Sequence, residues 1–145
     1  MRCAVLGDPI AHSLSPTLHR AGYAAAGLDG VSYEAVRLDE AGLPGFVGGL
    51  DEDWRGLSLT MPLKRAALAL APTVSDRARL AGGANTLLLE RGSPVLADNT
   101  DLPGAGAAVR ERYDGPVTAA TVLGGGATAA STGLAMCDLG ARRVR

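Results

Sequence analysis

Four short stretches of the chain carry side chains able to do chemistry. The first, GDPIAHSLSP, runs from Gly7 to Pro16 and sets Ser13 and Ser15 on either side of Leu14. Pro16 is of the kind that opens a helix. A helix N-terminus presents unpaired N–H groups and about half a positive charge. Hydroxyls beside it can donate to a carboxylate or a phosphate. In an extended segment the two serines point the same way. The plainer alternative is that Ser15 caps the helix and Ser13 is polar loop.

The second stretch, GLSLTMPLK, ends a strand at Thr60, turns at Pro62 and brings Lys64 close to a new helix N-terminus. A cation there meets the positive end of the peptide dipoles, which eases loss of its proton. Such a lysine can give and take a proton near neutral pH; a solvated surface lysine is the alternative. The third is DNTD, Asp98 to Asp101, where a strand gives way to a helix. Asp101 either caps that helix or faces Lys64. A carboxylate facing the lysine opposes the dipole, so the net effect on Lys64 is unsigned. Nearby, GGANT contributes Asn85, an amide able to donate and accept, or to satisfy its own turn.

The fourth stretch, VLGGGATAAS, follows a strand and opens a helix. Gly124, Gly126 and Ala129 fit the dinucleotide fingerprint G-x-G-x-x-A. Gly125, Ala127 and Thr128 complete the loop. A tight turn that binds nothing is the alternative. The residue that reads the ribose falls about twenty positions on, at or past Arg145. His12 reads as part of a turn and His19 as a helix residue, and neither has a metal-ligand partner at suitable spacing.

Those groups must be held by a fold, and composition bounds it. The chain has 145 residues, 47% hydrophobic and 20% charged, long enough to bury a core. Only 3% are aromatic, so aliphatic side chains must fill that core. Net charge is −1, with no basic run before the last few residues, which argues against nucleic acid as a partner. No apolar run has the length of a membrane span, and the first ten residues are too soon broken to read as a signal peptide. Cys3 and Cys137 match no metal spacing and point to buried thiols in a reducing cytoplasm.

CAVLG reads as a buried strand, Ser15 to Gly27 as a helix, and Val31 to Val36 as a strand. Asp39 to Leu50 reads as a helix and Gly56 to Thr60 as a strand. A helical turn follows at Pro62, and a helical segment over Ser75 to Leu80. Ala84 to Glu90 and Ser93 to Asn99 flank Arg91-Gly92 as a hairpin, adding one antiparallel strand. Asp101 to Tyr113 is a helix, VTAATVLGGG a strand and glycine turn, then a helix to Leu139. ARRVR begins one more strand. The alternation predicts an α/β fold: a three-layer open sandwich with a mostly parallel sheet, followed by an incomplete Rossmann-like unit. Residues 1–101 form the first domain, 102–116 a linking helix, and 117–145 the start of a second domain. The strand near Val117 is expected to lack sheet partners, leaving an apolar edge that invites self-association.

Taken in order, these stretches resemble the shikimate dehydrogenase family. Gly7, Pro9, Ile10, His12, Ser13, Ser15 and Pro16 match its opening motif, G-x-P-I-x-H-S-x-S-P. Gly56, Thr60, Pro62 and Lys64 match G-x-x-x-T-x-P-x-K. Gly83 to Leu87 are similar to its G-A-x-N-T-L, Asn99 to Asp101 to its NTD, and GGGATA to its cofactor loop. The resemblance implies that residues 1–101 are a shikimate-binding catalytic domain. It implies that Ser13 and Ser15 bind the shikimate carboxylate, and that Thr60, Asn85 and Asp101 hydrogen-bond the ring hydroxyls. Lys64, with Asp101, becomes the catalytic group, exchanging a proton with the substrate oxygen or stabilising its charge. The loop over Gly124 to Ala129 would bind the NADP pyrophosphate. Asp76 falls where the family sometimes has an acidic residue near the cofactor. Ser58 departs from a common Asn, and the second glycine pair of the loop reads Gly126-Ala127. The implied activity is reversible NADP-dependent reduction of 3-dehydroshikimate in the cytoplasm. The alternatives are a quinate/shikimate dehydrogenase using NAD, or a non-catalytic shikimate-binding module. With only the start of a nucleotide domain, the chain by itself is expected to bind shikimate weakly and turn over nothing.

Overall fold

A computed structural model describes all 145 residues, Met1–Arg145. The chain begins with β1 (Arg2–Gly7), α1 (Ser15–Ala25), β2 (Ser32–Arg37), α2 (Leu43–Gly48) and β3 (Trp54–Leu59). A short 3-10 helix (Ala66–Ala69), β4 (Thr73–Val74) and α3 (Asp76–Ala81) lead to the hairpin β5 (Thr86–Glu90) and β6 (Ser93–Asp98). Then come α4 (Asp101–Arg110), β7 (Ala119–Ala120), α5 (Ala127–Asp138) and β8 (Arg143–Val144).

Six strands form one sheet in the order β2-β1-β3-β5-β6-β4, and β7-β8 form a separate parallel pair. In the large sheet only β5 runs against its neighbours. Arg91 and Gly92 close its hairpin with φ of 50° and 77°, as a two-residue turn between twisted strands requires. Successive side chains of β1 divide between the two faces. Ala4 and Leu6 join the larger core with Leu43, Leu57, Leu63, Ala78 and Leu87. Cys3 and Val5 point to the other face, with Ile10, Tyr33 and Tyr23 of α1. Helices thus cover both faces, giving three layers. A third cluster, built on Ala135, Met136 and Ala141, packs α4, α5 and β7 together.

Several local expectations are corrected. Leu14, not Ser15, is the N-cap of α1, and no side chain caps it in the usual way. The helix expected over Asp39 to Leu50 is confined to α2. Asp39 Oδ1 accepts the Gly42 N–H at 2.9 Å, holding a turn, Pro44 sets the first helical residues and Gly48-Gly49 end them. Lys64 precedes a 3-10 helix of four residues, too short to build the dipole invoked for it. The long strand near Val117 is reduced to β7, and it does have a partner, β8. β4 carries no sequence signal at two residues and forms by pairing with β6. The thiols are not buried: Cys3 is half-buried and Cys137 exposed.

Candidate functional site

The C-terminal ends of β1, β3 and β6 and the N-terminal start of β5 meet at one edge of the sheet. Clefts of α/β sheets open at such ends. The Leu59 N–H donates to the Asn85 carbonyl at 2.8 Å and the Asn85 N–H to the Asp98 carbonyl at 3.0 Å, locking β3, β5 and β6 in register there. Gly7 ends β1 against the next strand's exit: a Cβ on it would stand 2.8 Å from the Met61 carbonyl oxygen. Only glycine lets the segment Thr60–Met61 pass so close.

A cleft of ≈ 510 Å³ lies at this edge, lined among others by Ser13, Ser15, Thr60, Lys64, Asn85 and Asp101. The structure therefore brings together every residue expected to contact substrate. Leu14 between the serines is in the right-handed helical region rather than extended, yet both serines line the cleft. Ser13 Oγ accepts the Ser15 N–H at 3.3 Å, so the first hydroxyl, not the second, serves the helix start. Ser58 lines the same cleft and its Oγ accepts the Tyr33 phenol at 2.7 Å. Burial raises the Tyr33 pKa, which keeps the phenol a donor. Ser58 must then direct its own proton elsewhere.

Lys64 Nζ donates to Asp101 Oδ2 at 2.6 Å, with the two side chains 12% and 29% exposed. Asp101 is the first residue of α4 but does not cap it. Asn99 does: its Oδ1 accepts the N–H groups of Asp101 at 3.1 Å and Leu102 at 3.3 Å. That frees the Asp101 carboxylate for the lysine. The Asn85 Nδ2 protons go to Thr100 Oγ1 at 2.9 Å and Asp101 Oδ1 at 2.8 Å, while its Oδ1 accepts the Thr100 N–H at 2.9 Å. With both donors committed, Asn85 orients the Asp101 carboxylate as it lines the cleft.

A second cleft of ≈ 660 Å³ adjoins the first. Thr60 and Lys64 line both. Its far wall includes Gly124, Gly126, Ala127, Thr128 and Ala129, with Gly125 in the same turn. Gly124 has φ of +122°, a conformation that disfavours any side chain. Gly126 then stands as the N-cap of α5 with extended backbone. Those features suit a helix N-terminus that receives a phosphate. Asp76 is not part of this cleft. It is 94% exposed, paired with Arg79 at 3.0 Å, and lines neither cavity.

Sequence reasoning missed the buried side of the site. Asn99 is fully buried. Its Nδ2 donates to the Gly83 carbonyl at 2.7 Å and to Ser131 Oγ of α5 at 3.0 Å. Its place in DNTD was visible, but nothing local announces a partner thirty-two residues on. Asp98, just before it, accepts from Ser75 Oγ at 2.6 Å, the Asn99 N–H at 2.8 Å, and Arg77 through both carboxylate oxygens. Arg77 above all, with Ser75 and the Asn99 N–H, holds the Asp98 carboxyl well below the usual carboxylate range. A carboxylate whose folded-state pKa is depressed stabilises the fold above its unfolded pKa of about 3.9, and that contribution fades as pH falls below it. Asp98→Asn is therefore expected to cost about 2 kcal/mol at neutral pH. It should also flatten the loss of stability between about pH 5 and 2. Urea unfolding at a series of pH values would show both; parallel pH curves for the two proteins would contradict it.

Residues 5–87 match the family described as shikimate dehydrogenase substrate binding domain. A shikimate dehydrogenase (NADP(+)) from Methylobacterium radiotolerans is 42% identical over 99% of this chain and 52% of its own length. The crystal structure of a shikimate 5-dehydrogenase from Mycobacterium fortuitum superposes with a TM-score of 0.88 at 43% identity, covering 99% of this chain and 52% of that one. The enzyme from Thermus thermophilus, solved in complex with NADP(H) and shikimate, gives 0.89 at 37% identity, covering 99% and 55%. The chain thus spans about half the length of the relatives it matches. No helix is long and apolar enough to cross a membrane.

Proposed function

The chain belongs to the shikimate dehydrogenase family, and from that premise we propose that it supplies the substrate cleft, the proton-handling pair and the glycine loop of an NADP-dependent shikimate dehydrogenase. The reaction is the reversible reduction of 3-dehydroshikimate to shikimate, which we place in the cytoplasm. The observation that carries this reading is the position of Lys64, paired with Asp101 where the two clefts join. One cleft has hydroxyls and a carboxylate suited to a polyhydroxylated acid. The other has the glycine turn.

In this reading the Ser13 and Ser15 hydroxyls hold the shikimate carboxylate, and Thr60 and Asp101 hold ring hydroxyls. Ser58, its oxygen already engaged by Tyr33, offers a proton to a ligand oxygen. Lys64 exchanges a proton with the reacting oxygen, and Asp101 fixes the ammonium and balances its charge. The residues from Gly124 to Ala129 fit a dinucleotide pyrophosphate, through a turn free of side chains and a helix start. NADP, when bound, supplies the hydride acceptor for shikimate oxidation. Residues 1–101 act as the substrate domain and 117–145 as the opening of the nucleotide domain, with 102–116 joining them.

Titration of the chain with shikimate, followed by amide NMR, tests the assignment. Expected are saturable shifts at Ser13, Ser15, Thr60, Lys64 and Asp101, with NADP+ shifting Gly124 to Thr128 separately. Shikimate that leaves the first set unmoved at millimolar concentration would refute the substrate assignment.

A further inference from the structure

We propose that Thr128 is a positioning residue for Lys64, and that its hydroxyl links the lysine to whatever occupies the glycine loop. This deepens the function proposed above and rests on it for the meaning of Lys64, though not for the contact itself. Lys64 Nζ donates to Thr128 Oγ1 at 3.2 Å as well as to Asp101 Oδ2 at 2.6 Å. An ammonium has three protons set tetrahedrally and no acceptor. The ammonium turns about its Cε–Nζ bond, and a single bond to Asp101 lets it rock there and trade one proton for another. A second bond, from a different direction, fixes the rotor. The third N–H then has one direction, and Lys64 lines the cleft that also holds Ser13, Ser15 and Thr60.

Thr128 is the second residue of α5 and lines the neighbouring cleft with Gly124 and Gly126. Its oxygen accepts from the ammonium, so its own O–H must donate elsewhere. An anionic oxygen seated in the glycine turn is the natural acceptor for that proton. The chain then runs from ammonium to hydroxyl to anion with every donor pointing the same way, an order in which each bond strengthens the next. Anion in the loop thus tightens the hold on Lys64 across the boundary between the two clefts. Thr128 is exposed, so replacing it leaves the core untouched.

The test is proton exchange between the Lys64 ammonium and water, read by NMR on the Nζ of the labelled chain. Wild type is compared with Thr128→Val, which removes the hydroxyl at nearly constant shape, and Thr128→Ser, which keeps it. Without ligand, exchange should be about 2–10-fold faster in the valine variant, the factor corresponding to one net hydrogen bond, and restored by serine. Equal rates in all three proteins would overturn the positioning role. Saturating NADP+ should slow exchange further in wild type and Thr128→Ser but not in Thr128→Val; equal slowing in all three would overturn the link between loop and lysine. The amides of Gly124 to Gly126 report NADP+ binding independently. If they stay still, the cofactor assignment above fails and the link to the loop fails with it, while the ligand-free comparison still decides the positioning role.

Discussion

Replacing Lys64 by alanine is expected to lower kcat for shikimate oxidation by about 10²–10⁴-fold, the usual worth of a general acid or base, with KM changed far less. A group that acts mainly in the transition state shows itself that way. The geometry gives the reason: Lys64 is the one lysine or arginine lining the cleft of Ser13, Ser15 and Asp101, and its Nζ stands 2.6 Å from the Asp101 carboxylate. In the function proposed above, removing it leaves that carboxylate without its cation and the reacting hydroxyl without the group that takes its proton. NADPH formation is the measurement, using this segment joined to the second half of a shikimate dehydrogenase relative. An unchanged kcat would remove Lys64 from the chemistry, whatever its position.

Asn99→Ala is expected to destabilise the chain by about 3 kcal/mol, or about 6–12 °C in Tm for a protein of this size. The side chain is fully buried, and its loss strands several groups at once. The Gly83 carbonyl and Ser131 Oγ lose a donor. The N–H groups of Asp101 and Leu102 lose their acceptor. A buried polar group left without a partner costs more than a bond is worth when made. Ser131→Ala should cost only about 1 kcal/mol, since Asn99 keeps its other partners. Thermal unfolding of both variants would decide; an Asn99→Ala protein within about 0.5 kcal/mol of wild type would show that the node carries little.

The sequence was most legible where chemistry and turns leave local marks. A short apolar run ending in glycine announced β1, alternation announced β2, and Arg91-Gly92 announced the hairpin. Lys64 and Asp101, thirty-seven residues apart, were each placed at a strand exit, which is why they meet. The capping roles were not legible. Ser15 and Asp101 are both good cap residues by type, but Ser13 and Asn99 do that work because the loop before each helix brings their oxygens round. Choosing between neighbouring oxygens depends on loop geometry that no spacing rule encodes. β4 escaped because two residues carry no period, and Asn99 with Ser131 because a buried amide chooses its partner in three dimensions. Asp76 was carried by analogy alone, and the exposed start of α3 put it in solvent.

The reversed direction of β5 sets how this site can be altered. Asn85 and Asp101 sit at the open end of one hairpin, and Arg91-Gly92 at its closed end. Pairing is regular from Leu88↔Leu96 to Thr86↔Asp98, and one odd residue, Val95, is absorbed beyond it, between Leu88 and the turn. Strand side chains alternate, so an odd residue anywhere between Leu96 and Asp98 would turn the segment leading to Asp101 onto the wrong face. The molecule keeps its counting error at the end that does no chemistry. The hairpin is therefore a ruler with its zero at the cleft: length can be edited at the far end, identity only at the near one.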